Sequence, residues 1–397
     1  MNNQPSEPKV ALVYDRVNTP FGGAENVLLA LHQIYPEAPL YTSVYDAKTA
    51  PWAKVFKVHP SFLQRIPFAK KFHRLFAVLM PLAFESFDLS KFDIVVSVTS
   101  AEAKGVLTKP SQLHICYLLT PTRYLWSHAA EYEQDRLTGW LRKIVFAYLK
   151  WWDEAAALRP DIIIPISQLV AGRCQKFYHR TPVSVIYPTV MPTLKLQEEA
   201  ISTNAVAVEI RPFLNKYFLV VSRLVPYKRI DLAIQACQKA QKPLVVIGQG
   251  PDLSRLKKLA EHSKIGNPNA KVFFLQAVQP AQIWAYYRHC RAFLAPAEED
   301  FGMTVLEAQQ FGKPVVVYAK SGAAEVVEEG LSGIHFAVHA VEDMSEAVNL
   351  VDSFTWEESA IRNSVKQYTP VNFQQQFQTA VEYYWRQLNQ KGLYAES

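Results

Sequence analysis

Residues 217–247 read YFLVVSRLVPYKRIDLAIQACQKAQKPLVVI, and the reading of this stretch decides the fold. Residues 217–221 form a short β-branched run with no polar alternation, the pattern of a strand covered on both faces. From Ile230 to Ala240 the apolar residues fall at helical spacing, and Leu244–Ile247 is a second buried run. Strand, helix, strand in so short a span predicts a parallel βαβ unit.

The same alternation runs through the chain. Apolar runs recur at Val10–Tyr14, 94–98, 115–119 and 162–166, then at Val272–Leu275, Ala292–Ala295 and Val315–Tyr318. Helical patterns such as 25–34 separate them. This predicts α/β architecture with doubly wound parallel sheets. At 397 residues the chain is too long for one ordinary core. The stretch around Pro188, Pro192 and Pro212 is proline-rich and polar-acidic, with no strand pattern, and reads as a linker. The expected organisation is a first domain at 1–190, a linker at 191–212, a second domain at 213–370 and a terminal helix at 371–397 crossing back to the first domain.

Composition narrows the function classes. The chain is 49% hydrophobic and 20% charged, so it is not disordered, and no apolar run approaches the ~18 residues that span a bilayer. Met1 to Lys9 are polar and lack a signal-peptide core, so the expected location is cytoplasmic. Cys116, Cys174, Cys237 and Cys290 are too far apart for a CxxC metal clip and suggest no disulfide framework. A net charge of +6 favours anionic partners but is too thinly spread for a nucleic-acid binder.

Three segments could carry chemistry. Phe21-Gly22-Gly23-Ala24-Glu25 links the first strand to a helix; Gly22 and Gly23 would let backbone amides approach an anion at the helix N-terminus. A tight turn would read the same way. Arg223, Lys228 and Arg229 follow the strand at 217–221, where a bidentate guanidinium and a lysine point charge suit a diphosphate; a solvated basic turn is the plainer alternative. In Glu298-Glu299-Asp300-Phe301-Gly302-Met303-Thr304-Val305-Leu306-Glu307 a glycine turn separates Glu299 from Glu307 at the start of a helix. Those carboxylates could accept sugar hydroxyls and the amides of Gly302 to Thr304 could meet phosphate, although an acidic helix start on a surface is also common. No DxD motif or His/carboxylate cluster suggests a metal site.

Together these strings resemble the retaining glycosyltransferases of family 4. Phe311-Gly312-Lys313-Pro314-Val315, Gly322 and Glu325, and Gly330 to Gly333 fit the same pattern, as do Cys116-Tyr117, Thr120-Pro121, Arg123-Tyr124 and Trp126 in the first half. Within the family the likeness is to bacterial mannosyltransferase-like members of polysaccharide assembly. The resemblance implies a GT-B fold, two Rossmann-like domains facing across a cleft, with a nucleoside-diphosphate sugar as donor. Carried over, Arg223 and Lys228 would bind the diphosphate, Glu307 the ribose, and Glu299 the transferred sugar. Phe301, Gly302, Met303 and Thr304 would line the donor, with Gly22 and Gly23 closing over the phosphates. GDP-mannose is the favoured donor and no metal or other cofactor is implied.

Two departures stand out. Leu119 occupies the place where the family usually has His before Thr-Pro, and leucine cannot hydrogen-bond a sugar hydroxyl. His128 or His114 could substitute, and Thr120, Arg123 and His128 are the acceptor-side candidates. Tyr187-Pro188-Thr189-Val190-Met191 lacks the Asp that relatives often carry after the Val. A catalytically impaired glycan or nucleotide-sugar binder, or a GT-B nucleotide-sugar epimerase, are the alternative functions.

The acceptor is expected to be a glycan or a lipid-linked sugar. From Trp52 to Phe84 the chain has Lys54, Lys57, Arg65, Lys70, Lys71 and Arg74 but no acid. Phe62, Leu63, Ile66, Phe68, Phe72, Leu75, Phe76 and Leu79 interleave with them. Such a stretch suits an anionic membrane on the inner face of the plasma membrane, or else a buried helix pair with snorkelling cations. Tyr148, Leu149, Trp151 and Trp152 form a second candidate edge.

Overall fold

The computed structural model describes residues 8–70, 73–127, 139–190, 201–262, 270–276 and 278–395. The chain divides into two compact units, residues 1–189 with 370–397, and residues 190–369.

Unit 1 is built on a six-stranded parallel sheet in the order β3-β2-β1-β4-β5-β6. Its strands are β1 (Val10–Tyr14), β2 (Leu40–Thr42), β3 (Val58–Pro60), β4 (Ile94–Thr99), β5 (Leu113–Leu118) and β6 (Ile162–Pro165). Helices α1 (Gly23–Ile34), α2 (Met80–Glu85), α3 (Gly139–Ala156) and α4 (Gln168–Tyr178) accompany them. β1, β4 and β5 are buried along their whole length, which is why they lack alternation.

Unit 2 repeats the plan in the order β12-β11-β10-β7-β8-β9. Here the strands are β7 (Phe218–Val221), β8 (Leu244–Ile247), β9 (Val272–Leu275), β10 (Ala292–Ala295), β11 (Val315–Tyr318) and β12 (Gly333–Phe336). α5 (Ile230–Lys239), α6 (Leu253–His262), α7 (Pro280–His289), α8 (Met303–Gln310), α9 (Val341–Leu350) and α10 (Glu358–Ser364) complete it. In register, Phe218 faces Leu244, and Phe293 faces Val315. Each sheet is thus a doubly wound Rossmann-like one, whose strand order reverses at β1/β4 in unit 1 and at β7/β10 in unit 2.

The last helix, α11 (Pro370–Ala395), belongs to unit 1. Phe373 and Phe377 pack edge-on against the buried Tyr117 ring of β5, at 5.7 and 6.0 Å between centroids. Within the stretch read as a linker, residues 201–212 pack on unit 2: the Ala207 amide donates to the Tyr286 hydroxyl at 3.1 Å, and Ile210 is buried.

Among the described residues, the basic stretch from Trp52 to Phe84 is not a helix pair. It forms short 3-10 turns, β3 and α2. Leu63, Met80 and Ala83 are buried in a small core with Val44 and Ala69, and Ile66, Phe76 and Leu79 pack against it. Phe62 and Phe68 remain exposed. Phe72 lies outside the described residues. All four cysteines are buried and free. Among the described residues no helix is long and apolar enough to cross a membrane.

Candidate functional site

In an open parallel sheet the loops that leave the strand ends at the reversal point diverge and create a crevice. In unit 2 these are the loop after β7, carrying Arg223 and Lys228, and the loop after β10, carrying Glu299. They meet: Lys228 Nζ lies 2.7 Å from Glu299 Oε1, both side chains largely shielded from solvent. Arg223 is exposed, and its Nη2 donates to the Tyr227 hydroxyl at 2.5 Å, which holds the guanidinium beside the same turn.

The Glu299 backbone is pinned from the loop after β11. Its amide donates to Ser321 Oγ at 3.0 Å, and its carbonyl accepts from the Gly322 amide at 2.8 Å. A Cβ on Gly322 would stand 2.1 Å from the Asp300 carbonyl oxygen, so only glycine permits this approach. Gly302 then adopts φ 87° as the N-cap of α8, with space so tight that a Cβ would meet Ala323 Cβ at 2.5 Å. Phe301 is buried, its ring edge-on to Tyr368 at 6.1 Å. Met303 and Thr304 open α8, where the first amides have no intrahelical acceptor and favour an anion.

Glu307 sits in the second turn of α8 and accepts from the Tyr287 hydroxyl of α7 at 2.8 Å. Burial pushes its carboxyl up to about 7. Burial and the charges of Glu307 and, more weakly, Glu299 hold the Tyr287 phenol well above its ordinary value. Tyr287 therefore feels both acids of the segment. Sequence reasoning missed Tyr287 and Ser321, and nothing local marks either one.

Unit 1 holds the remaining candidates. Gly22 caps α1 in extended conformation and Gly23 is its first residue. Beneath them Glu25 is buried, accepting from the Tyr14 hydroxyl at 3.0 Å, and burial raises its pKa. Asp15, at the end of β1, accepts from Thr99 Oγ1 and the Ser100 amide, each at 2.7 Å, and from the Ala103 amide at 2.9 Å. Thr120 is buried after β5, and among the described residues its hydroxyl oxygen has no hydrogen-bond partner. Arg123 is half-buried in the turn that follows. His128 lies outside the described residues.

His114 is not a substitute for the missing family histidine. It sits inside β5, fully buried, with Nε2 2.9 Å from Ser97 Oγ, and burial pushes its pKa down to about 3. Leu119 itself is half-buried. Among the described residues no three His, Cys, Asp or Glu side chains cluster as a metal site would require.

Comparison with known proteins bears on the fold. The chain is 29% identical over 206 residues to the D-inositol 3-phosphate glycosyltransferase of Mycolicibacterium smegmatis, covering 50% of this chain and 46% of that protein. It is 23% identical over 139 residues to the O-antigen chain mannosyltransferase C of Escherichia coli, covering 34% and 36%. The chain thus spans less than half the length of these curated relatives. Among solved structures, Anabaena HepE in complex with UDP-glucose superimposes with TM-score 0.68 at 19% identity, over 94% of this chain and 99% of that one. The lipopolysaccharide outer core galactosyltransferase WaaB, in its apo form, does so with TM-score 0.63 at 18% identity over the same shares. The fold is GT-B, with two Rossmann-like units in one chain. Residues 210–362, which include Arg223, Lys228, Glu299 and Glu307, match the family described as Glycosyl transferases group 1.

Proposed function

We propose that this chain is a retaining hexosyltransferase that moves a sugar from a nucleoside diphosphate to a glycan or lipid-linked acceptor in surface polysaccharide assembly. One observation carries the reading: the Lys228–Glu299 pair at 2.7 Å joins the two loops at the sheet's reversal point. A cation for a diphosphate and an acid for sugar hydroxyls stand side by side there.

The chemical difficulty is departure of the diphosphate from the anomeric carbon. Lys228 has three N–H donors, so it can keep Glu299 and still meet a phosphate oxygen. Arg223 adds a second cation, and the amides of Met303 and Thr304 add a third source of positive potential. As the C1–O bond to the diphosphate breaks, these groups take up the charge. The acceptor hydroxyl attacks the same face and passes its proton to the departing oxygen. The charge is taken up by protein cations, so the rate should be unchanged by EDTA. Glu307, buried against Tyr287, is placed to accept from a ribose diol.

For the donor, the likeness to the E. coli mannosyltransferase is in keeping with mannose as the sugar of the favoured GDP-mannose, and UDP-glucose, the ligand of HepE, is the donor to separate it from. Incubation with a panel of nucleoside-diphosphate hexoses, following release of free diphosphate, tests both. Release from one donor, lost in Glu299→Ala and Lys228→Ala, is expected. Tight donor binding without turnover would leave a binding protein, and conversion of donor to its epimer without acceptor would make the chain an epimerase.

A further inference from the structure

α3 carries its apolar residues outward. Trp140, Ile144, Tyr148 and Trp151 follow one another at spacings of four, four and three and so form a single stripe. They are exposed by 69%, 58%, 39% and 65%. A surface helix ordinarily turns such a stripe to the core, and contiguous exposed apolar area of this kind marks an interaction site.

The helix cannot roll to hide the stripe, because its other face is locked. Leu149, Trp152 and Asp153 are buried. Trp152 Nε1 donates to Glu85 Oε1 of α2 at 2.7 Å. Asp153 pairs with the buried Lys104 and accepts from Thr122 Oγ1 at 2.7 Å, Trp126 Nε1 at 2.8 Å and the Tyr178 hydroxyl at 2.8 Å. Lys104 is also held by the Ala101 carbonyl at 2.5 Å. Rotating α3 would strip a buried carboxylate of all four partners, so the outward stripe is built in.

Charge indicates what covers it. Along Gly139–Ala156 the helix carries Arg142, Lys143 and Lys150 against one exposed acid, Glu154 near its end, Asp153 being buried and paired with Lys104. Lys143 and Lys150 are exposed beside the stripe. Tryptophan at both ends and tyrosine between them are the side chains that combine an apolar body with a polar tip and settle at headgroup depth. Leu82, one turn before Glu85 on α2, is exposed next to this contact and extends the apolar surface. We propose that α3 is a docking helix for an anionic lipid surface, lying in the interface plane with Trp140, Ile144, Tyr148 and Trp151 inserted and Lys143 and Lys150 against lipid phosphates. Phe68, exposed with φ 64° between the exposed Arg65 and Lys70, gives unit 1 a second aromatic of the same character.

Flotation of the full chain with phosphatidylcholine vesicles, with and without phosphatidylglycerol, tests this. The chain should float with the anionic vesicles, and added salt should weaken binding as lysine contacts are screened. Trp140→Ser/Trp151→Ser should lower partitioning by about tenfold or more with an unchanged melting temperature, since neither side chain is in a core. Ile144→Asp should act the same way. Failure of the unaltered chain to float, or equal floating of the double variant, would overturn the assignment. A concentration-dependent dimer that the double variant abolishes, without vesicle binding, would give the stripe to a second copy and equally overturn it. Docking needs no nucleotide sugar, so its failure leaves the transfer reading intact, and the converse holds.

Discussion

The Tyr287 hydroxyl donates to the Glu307 carboxylate at 2.8 Å, and together they place an acid with a pKa of about 7 beside the candidate donor site. Its ordinary value is 4.5, so the folded state binds the proton more tightly than the unfolded chain. The sign follows: stability is greatest below the unfolded value and falls as pH rises through about 7, where the folded group must ionise. Glu307→Gln removes that cost. It should raise the melting temperature at pH 8 by the equivalent of about 1–3 kcal/mol and change little at pH 5. The same variant should bind nucleoside diphosphate more weakly. Equal stabilisation at both pH values would refute the burial account.

Lys228→Ala should separate catalysis from stability. The pair with Glu299 is largely shielded, so removing the cation leaves a partly buried carboxylate and should cost about 1–3 kcal/mol of unfolding free energy. Loss of a cation that meets the departing diphosphate should lower kcat/KM by about 10²–10³-fold. Steady-state kinetics with urea unfolding in parallel measures both. A large stability loss with unchanged turnover per folded molecule would make the pair structural.

Gly302→Ala should cost more than Gly330→Ala, although both glycines have positive φ, 87° and 75°. A Cβ at Gly330 finds its nearest atom 3.7 Å away, whereas one at Gly302 meets Ala323 Cβ at 2.5 Å. Gly330→Ala is expected to lose about 1 kcal/mol from its dihedral alone, and Gly302→Ala about 2–3 kcal/mol. Urea midpoints at constant slope decide the order, and only Gly302→Ala should also impair donor turnover.

Lys104→Met should destabilise unit 1 by about 3–5 kcal/mol, because it strands the buried Asp153 charge. Adding Asp153→Asn should recover much of that loss, since the Thr122, Trp126 and Tyr178 donors can still bond an amide oxygen. A neutral single variant, or a double variant worse than the sum, would contradict this picture of the cluster.

Central strands were legible because burial on both faces leaves a mostly apolar signature without alternation, as at β4 and β7. β2, β3 and β12 were not. β2 has three residues, β3 ends in Pro60 on a half-exposed sheet edge, and β12 begins with a glycine at the opposite kind of edge. Short strands are stabilised by a neighbour's ladder rather than by their own pattern.

The loop residues of the site could be read because turn chemistry and charge are local. Their supports could not: Tyr287 reaches Glu307 from a different helix, and Ser321 reaches Glu299 across two strands. α3 shows the same limit. Its aromatic cluster 148–152 is visible in sequence, but tertiary locking sends Tyr148 and Trp151 outward and Leu149 and Trp152 inward. Basic interleaving at 52–84 suggested an open apolar face, and a small separate core absorbed much of it.

The return of α11 to Tyr117 has a consequence for biosynthesis. A chain emerging from the ribosome completes residues 190–369 as one continuous stretch, whereas the first-made sheet waits for the final helix before Tyr117 is covered. Nascent unit 1 therefore carries an unfinished apolar seam throughout elongation, and any stop codon or protease cut ahead of Phe373 leaves that seam permanently open.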